Sequence, residues 1–298
     1  MSTVLLTGST GLVGKALVQL LKSSGYELRQ LTTRRQLSTK EGFFYWNPAA
    51  GEADPAAFNG VDYIIHLAGS SIGAGRWTKA RKKEILESRT LSSALLYHKA
   101  EEHHLQLKAF ISASATGYYG SKTTETVFDE YSPAGSDFLA KVCVEWEKAA
   151  DRFQKAGVRT VKIRTGVVLS KGAPALSKML LPIRMGVGGP LGNGKQYMPW
   201  ISLTDLCNMY LMAVEDESMS GAYNAVAPQH LTNRSLMKSL AHQLKKPFFF
   251  PPLPAFLLKA VLGQMAILIT DGSRVVPRRI TAAGFSFQHP TIETLELN

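Results

Sequence analysis

Two hydrophobic periods alternate along the first half of the chain. Runs in which most residues are apolar stand at Val4–Thr7, Leu28–Thr32, Phe43–Trp46, Tyr63–Leu67, Ala109–Ala113 and Thr160–Arg164. Between most of them, apolar residues recur every three or four positions over Leu12–Ser23, Lys79–Glu102 and Phe138–Lys155. The first pattern predicts strands and the second predicts amphipathic helices. Strands alternating with helices imply parallel β–α–β units, and hence an α/β fold built on a doubly wound parallel sheet. Tyr63-Ile64-Ile65-His66-Leu67 is nearly continuously apolar, as a central strand covered on both faces would be. His66 within it reads as a hydrogen-bonded core histidine.

The first strand runs directly into Gly8-Ser9-Thr10-Gly11-Leu12-Val13-Gly14, three glycines at three-residue spacing that open a helix. In that context the first glycine allows the tight turn, the second lets backbone approach a pyrophosphate, and the third lets helix pack on strand. Free N–H groups at the helix start then point at the anion. Thr10 sits inside this loop. Residues 1–169 are therefore expected to form a Rossmann domain that binds a dinucleotide, with strands returning from about 200–226. Residues 170–298 are expected to form a smaller C-terminal substrate lobe. Within that lobe, Ser177–Gly194 holds seven Gly or Pro residues and reads as a loop-rich region crossing a cleft.

Composition narrows the class. Apolar residues make up 45% and charged residues 19%, as in an ordinary globular protein. Two cysteines, Cys143 and Cys207, give no disulfide framework and fit a reducing, cytoplasmic setting. The first strand begins almost at Met1, so no signal peptide is expected. The most apolar tract, 248–270, is interrupted by Pro251, Pro252, Pro254 and Lys259, so no membrane span or membrane partner is expected. The net charge is +11, but the basic residues are scattered. The one cluster, Arg76 to Lys83, reads as a solvated helix face, so nucleic acid is not an expected partner. His103-His104 lacks the spacing of a metal site, and no metal is expected.

The tip of the second strand chooses between the two nicotinamide dinucleotides. An acidic residue there would bond the ribose 2′-hydroxyl, whereas a basic one accepts a 2′-phosphate. This strand ends Leu31-Thr32-Thr33-Arg34-Arg35. Arg34 can form a charge-assisted pair with a phosphate and Thr33 can add a hydroxyl, so NADP(H) is the expected cofactor.

Taken together, Thr7–Gly14, Asp62–Gly69, Ser112–Thr116 and Trp200–Leu206 resemble the extended short-chain dehydrogenase/reductase superfamily, the NAD(P)-dependent epimerases and dehydratases. Gly117–Gly120, Trp146-Glu147, Arg164–Leu169, Gly188–Gly192, Val276–Arg279 and Gly284-Phe285 are similar to an "epimerase family protein" subgroup that ends in a domain of unknown function. The resemblance covers nearly the whole chain. It implies that Leu12 and Val13 offer backbone N–H groups to the pyrophosphate and that Leu67, Ala68 and Gly69 line the adenosine side. It further implies that Glu84 and Arg89 contact the cofactor, although a surface helix pair explains those two equally well. Arg164–Val167 would lie near the nicotinamide.

Members of the superfamily pair a serine with a tyrosine and a lysine at i and i+4 on one helix. The lysine lowers the tyrosine pKa for acid–base work. Ser114 matches the serine and Lys141 the lysine. Asp137 stands where the tyrosine belongs, and with Ser136 it reads better as a helix opener. Tyr118 is the preferred substitute phenol over Tyr119, the alternative being that both pack structurally. Cys143 reads as an inert core thiol. The resemblance thus implies an oxidoreductase, or an isomerase-like epimerase, acting on a small molecule such as a nucleotide sugar or other polar carbonyl or hydroxyl compound. Many relatives are homodimers. The departure at Asp137 also admits a cofactor-binding sensor or scaffold without turnover.

Overall fold

The computed structural model describes residues 1–297. Twelve strands form in chain order: β1 (Thr3–Thr7), β2 (Glu27–Thr32), β3 (Phe43–Asn47), β4 (Glu52–Ala53), β5 (Tyr63–His66), β6 (Ala109–Ala115), β7 (Val127–Phe128), β8 (Thr160–Thr165), β9 (Val167–Leu169), β10 (Trp200–Ser202), β11 (Gly221–Ala225) and β12 (Arg274–Val275). Eight of them make one sheet in the order β11-β8-β6-β5-β1-β2-β3-β4. Every pair in it is parallel except β3–β4. The order reverses direction at β1, which places a crevice at the carboxyl ends of β1 and β5, where open α/β sheets bind ligands. The doubly wound sheet is thus observed, and its central strand β5 is buried at all four positions.

The helices are α1 (Leu12–Ser23), α2 (Lys79–Glu102), α3 (Phe138–Lys155), α4 (Pro174–Arg184), α5 (Leu203–Glu215), α6 (Asn233–Gln243), α7 (Ala255–Leu262), α8 (Ile267–Thr270) and α9 (Arg278–Ala282). The first three match the hydrophobic periodicity end for end. One core cluster joins α1 and α5 to one face of the sheet through Leu17, Leu21, Leu206, Met209 and Tyr210. A second joins α2 and α3 to the other face through Leu96, Phe110, Ala150 and Phe153, with the rings of Phe110 and Phe153 stacked at 3.8 Å. Strands from beyond residue 170 return to the first part of the chain: β11 completes the sheet beside β8, and β10 pairs with β9.

The expected loop over 177–194 is corrected in its first half, where residues 174–184 form α4. Pro174 occupies the first helical turn, where its missing N–H costs nothing, and Pro182 falls in the last turn, so neither interrupts a long run of bonds. Leu176, Leu180 and Ile183 sit on one face and are buried with Trp200, Leu236 and Leu240 in a third core cluster. Packing of that face outweighs the breaker signal. No helix among the described residues is long and apolar enough to cross a membrane.

Candidate functional site

The site grows from the glycine turn. After β1 the backbone turns left-handed at Gly8 (φ +72°), and Gly11 caps α1 with no side-chain partner. A Cβ on Gly14 would lie 2.2 Å from the Gly8 carbonyl oxygen, and one on Gly8 would lie 3.0 Å from the Leu67 carbonyl carbon. Neither position accepts a side chain, so bare backbone faces the crevice. The first N–H groups of α1, those of Leu12 and Val13, have no partner within the helix and are free for an anion.

Thr7 and His66 tie this turn to β5. The Thr7 Oγ1 accepts from the backbone N–H of Leu67 (3.1 Å) and Ala68 (3.1 Å) and lies 2.7 Å from His66 Nδ1. The other ring nitrogen lies 3.0 Å from Ser92 Oγ, which itself donates to the Ser88 carbonyl at 2.7 Å. Those partners assign the neutral imidazole with its proton on Nε2. Burial holds the imidazole neutral and lowers its pKa to about 3. The core role expected of His66 is therefore the one it plays.

A cavity of about 660 Å³ opens from the turn. Gly8, Thr10, Thr33 and Arg34 form one wall, Ala68 and Gly69 another, and Glu84 and Ser88 of α2 a third. Seven of the residues expected to meet the cofactor thus converge on one space. Glu84 is held in place by Arg81 (2.7 Å) and by the Ser70 hydroxyl (2.8 Å), which lower its carboxyl pKa. The wall formed by Trp46, Asn47, Pro48 and Ala49 escaped sequence reasoning. Its one available signal was its position at the carboxyl end of β3, on the ligand edge of the sheet.

A second cavity, of about 280 Å³, lies beyond Gly69. It is walled by Ala115, Thr116 and Gly117 after β6, by Leu139, Cys143 and Trp146 of α3, by Thr165, Gly166 and Val167, and by Tyr197 and Asp271–Ser273 from the later chain. Arg89 separates the two spaces. It is 8% exposed, its side chain lies 3.1 Å from where a Gly69 Cβ would be, and its guanidinium sits 4.8 Å from the Trp146 ring centroid. Its Nη1 donates to the carbonyls of Ser70 (3.1 Å) and Ile85 (2.8 Å). A third space of about 470 Å³ shares Leu139 and Asp271 with the second and is bounded by Trp77, Lys82, Phe138 and Lys259.

The expected chemical residues do not gather here. Lys141 is exposed and lies on the side of α3 opposite Cys143, since two residues of helix turn the direction by about 200°. Helical phase instead presents Leu139 and Cys143, also at i and i+4, to the cavity. Burial pushes the Cys143 thiol up to about 12, with the nearby Glu147 charge adding to the effect, so it is inert as expected. Asp137 caps α3: its Oδ1 accepts from Ala140 N (2.9 Å) and its Oδ2 from Ser121 N (2.7 Å).

Ser114 and Arg164 are turned away as well. The Ser114 hydroxyl donates to Glu147 Oε1 at 2.7 Å, and Arg164 clasps both oxygens of Glu147 at 2.8 and 2.9 Å. Arg164 also donates to Tyr119 OH (2.9 Å), which donates to Asn224 Oδ1 (2.7 Å). Burial alone would lower the Arg164 pKa, but Glu147 more than offsets it and leaves the pKa raised. Burial raises the Tyr119 phenol to about 12. Tyr118 lies under the Arg164 guanidinium, 3.5 Å from its ring centroid, in edge contact with Tyr119. Both tyrosines therefore pack, which is the alternative weighed against Tyr118 as a reacting phenol.

The polar residues that line the second cavity are Arg89, Thr116, Ser121, Thr165, Tyr197, Asp271 and Ser273. Arg89 was expected at the cofactor, Thr165 falls in the Arg164–Val167 stretch expected near the nicotinamide, and the place of Tyr197 beside the Gly192–Gln196 turn suggested a substrate role; Thr116, Ser121, Asp271 and Ser273 were not singled out as candidates. Gln196 in that turn is structural, bonding the carbonyls of Leu191 and Ile269. No group of three or more His, Cys, Asp or Glu among the described residues is placed to hold a metal ion.

Comparison with known proteins agrees with this geometry. Residues 4–225 match the model of the NAD dependent epimerase/dehydratase family, and residues 253–295 match a domain of unknown function. The chain is 36% identical over 294 residues to an epimerase family protein of Mycobacterium leprae, covering 98% of this chain and 93% of that one. It is also 36% identical to the mouse epimerase family protein SDR39U1, covering 97% of this chain and 96% of that one. Among solved structures, the human epimerase family protein SDR39U1 with NADPH superposes with a TM-score of 0.87 at 34% identity, covering 98% and 97% of the two chains. A nucleoside-diphosphate sugar epimerase from Corynebacterium glutamicum gives 0.79 at 33% identity, and this chain spans 56% of its length.

Proposed function

Because the chain belongs to the NAD dependent epimerase/dehydratase family, we propose that it is an NADP(H)-dependent oxidoreductase or epimerase-like enzyme acting on a small polar carbonyl or hydroxyl compound. The observation that carries this reading is the bare backbone of Gly8 and Gly14 opening into a cavity with Thr33 and Arg34 on its wall. Leu12 and Val13 would offer their N–H groups to the pyrophosphate, and Arg34 would meet the 2′-phosphate. The NADPH in the human relative supports the same choice. When bound, the cofactor supplies or accepts a hydride.

This chain's residues would do the rest. Ala68 and Gly69 border the adenosine space, and Glu84, pinned by Arg81 and Ser70, braces its rim. Arg89 stands between the nucleotide space and the second cavity, and Thr165–Val167 wall the latter. The substrate would enter between α3 and the later chain, with Thr116, Tyr197 and Asp271 as its polar contacts. Glu147, Arg164 and Ser114 hold the sheet edge rigid beneath it. In this reading the protein works in the cytoplasm, as a monomer or homodimer, on neither nucleic acid nor metal.

Leu139 and Cys143 favour a second reading. Neither can supply the proton that the superfamily's tyrosine supplies, nor the charge of its lysine. A cofactor-binding sensor or scaffold would need neither. One experiment decides on the cofactor: calorimetric titration with NADPH and NADH, repeated on Arg34→Ala. NADPH affinity is expected to fall roughly tenfold or more while NADH binding is unchanged. Equal NADPH affinity in the variant overturns the assignment. Consumption of bound-state NADPH with a panel of carbonyl compounds then separates enzyme from sensor.

A further inference from the structure

An eight-residue helix of sequence Ala-Phe-Leu-Leu-Lys-Ala-Val-Leu, α7, buries none of its residues. Phe256 is 69% exposed, Val261 69% and, in the segment leading to the helix, Phe249 is 74% exposed. That segment is seated against the loop that follows α4: Leu253 N donates to Pro190 O (2.9 Å), Gly192 N donates to Leu253 O (2.9 Å), and Phe250 lies against Gly189. Leu181 (61%) on α4 and Met185 (69%) just after it are exposed as well. A patch of this kind on one lobe marks something that covers it.

The charge around the patch says what. From residue 218 to 270 the chain contains no Asp or Glu but five basic residues, Arg234, Lys238, Lys245, Lys246 and Lys259. From 172 to 204 it again contains no Asp or Glu, and Lys178 and Arg184 stand exposed on α4. Lys245 and Lys246 stand one residue ahead of the phenylalanines, across Pro247, and Lys259 lies within α7 itself. Asp137 and Asp271 line the space beside Lys259, but the exposed apolar segment itself carries only lysines, and a second copy docking through it would set Lys245, Lys246 and Lys259 against another set of lysines, which is repulsive. An anionic lipid surface takes both halves of the pattern: headgroups meet the lysines and the interfacial acyl region takes the aromatic side chains.

We propose that α7 and the Phe249–Leu253 segment dock this protein peripherally on anionic lipid bilayers. This departs from the expectation of no membrane partner, which addressed only a spanning segment. Arg76 carries the consequence inward. Its guanidinium donates to the carbonyls of Ala260 (2.9 Å) and Val261 (2.8 Å) at the end of α7, just ahead of α2, and Lys259 borders the space next to the second cavity. Docking through α7 would therefore take place beside that space, which Asp137 and Asp271 also line.

Flotation of the full-length protein with vesicles tests the proposal. With phosphatidylcholine containing three-tenths phosphatidylglycerol in 0.1 M salt, the protein is expected to float, and with phosphatidylcholine alone it is expected to remain at the bottom. Phe249→Ser with Phe256→Ser is expected to lower partitioning roughly a hundredfold while the thermal midpoint is retained. Lys245→Ala with Lys246→Ala is expected to lower it roughly tenfold. Failure of the unaltered protein to float with anionic vesicles overturns the proposal. So does undiminished flotation of the phenylalanine variant, which would mean charge alone is at work. A dimer in analytical ultracentrifugation that the phenylalanine variant turns into monomer also overturns it, since a second copy would then cover the patch. NADPH titration is a separate readout and is expected to be the same in every variant.

Discussion

The two ends of the crevice are built by different means. At the β1–α1 end, the surface facing the crevice is backbone, and the elements concerned are neighbours in sequence. Gly8, Gly11 and Gly14 shape that surface within seven residues, and the tip of β2 is reached after one helix. At the α3 end, the walls are side chains from β6, α3, β8 and the stretch around Asp271, separated by more than a hundred residues. The first surface survives almost any helical phase. The second changes its chemistry completely when a helix rotates, and here the rotation presents Leu139 and Cys143 where Lys141 was expected.

The contrast can be broken most severely at Gly14. Gly14→Val places carbon atoms on the Gly8 carbonyl, closing the backbone surface, and is expected to reduce NADPH affinity by roughly a hundredfold or more in calorimetry. A variant that still binds normally would show that the cofactor does not use this turn. At the other end, Glu147→Gln leaves Arg164 buried without its counter-charge. Chemical denaturation should report a loss of about 3–5 kcal/mol. A change under 1 kcal/mol would mean that the Ser114–Glu147–Arg164 network is replaceable.

His66 offers a smaller effect that belongs to the first end. Its folded-state pKa lies below the ordinary histidine value, so the unfolded chain binds the extra proton and stability falls as pH drops through 6.5. Between pH 7 and pH 5 the loss from this group should be about 2 kcal/mol. His66→Gln, though less stable at pH 7, should show a correspondingly flatter pH dependence. An unaltered slope would remove His66 as its source. The smallest effect sharpens the comparison. Lys141→Ala should leave stability and NADPH affinity essentially unchanged, because the side chain projects from the outer side of α3. A large fall in either would return Lys141 to the site.

Much of the framework could be read directly from the chain. Hydrophobic period alone placed α1, α2 and α3, and the continuous apolar run of β5 marked the sheet centre. Missed features have a common cause. Residues 174–184 look like a loop because two prolines and nearby glycines signal breaks, yet packing of Leu176, Leu180 and Ile183 stabilises the helix regardless. Ser114 looks available because it ends a strand at the ligand edge, yet Glu147, thirty-three residues on, takes its hydroxyl. Arg164 looks poised for a ligand, and Glu147 takes that too.

By itself, the amino-acid order determined the sheet, the glycine turn and the basic tip of β2, since each rests on local periodicity or on backbone freedom within a few residues. Only the tertiary structure decided which side chains face the second cavity, which are spent on the buried network, and that α7 lies uncovered. Those outcomes depend on helix rotation and on partners distant in the chain. A substitution pattern read in one dimension carries neither, because burial and hydrogen bonding are properties of the packed whole.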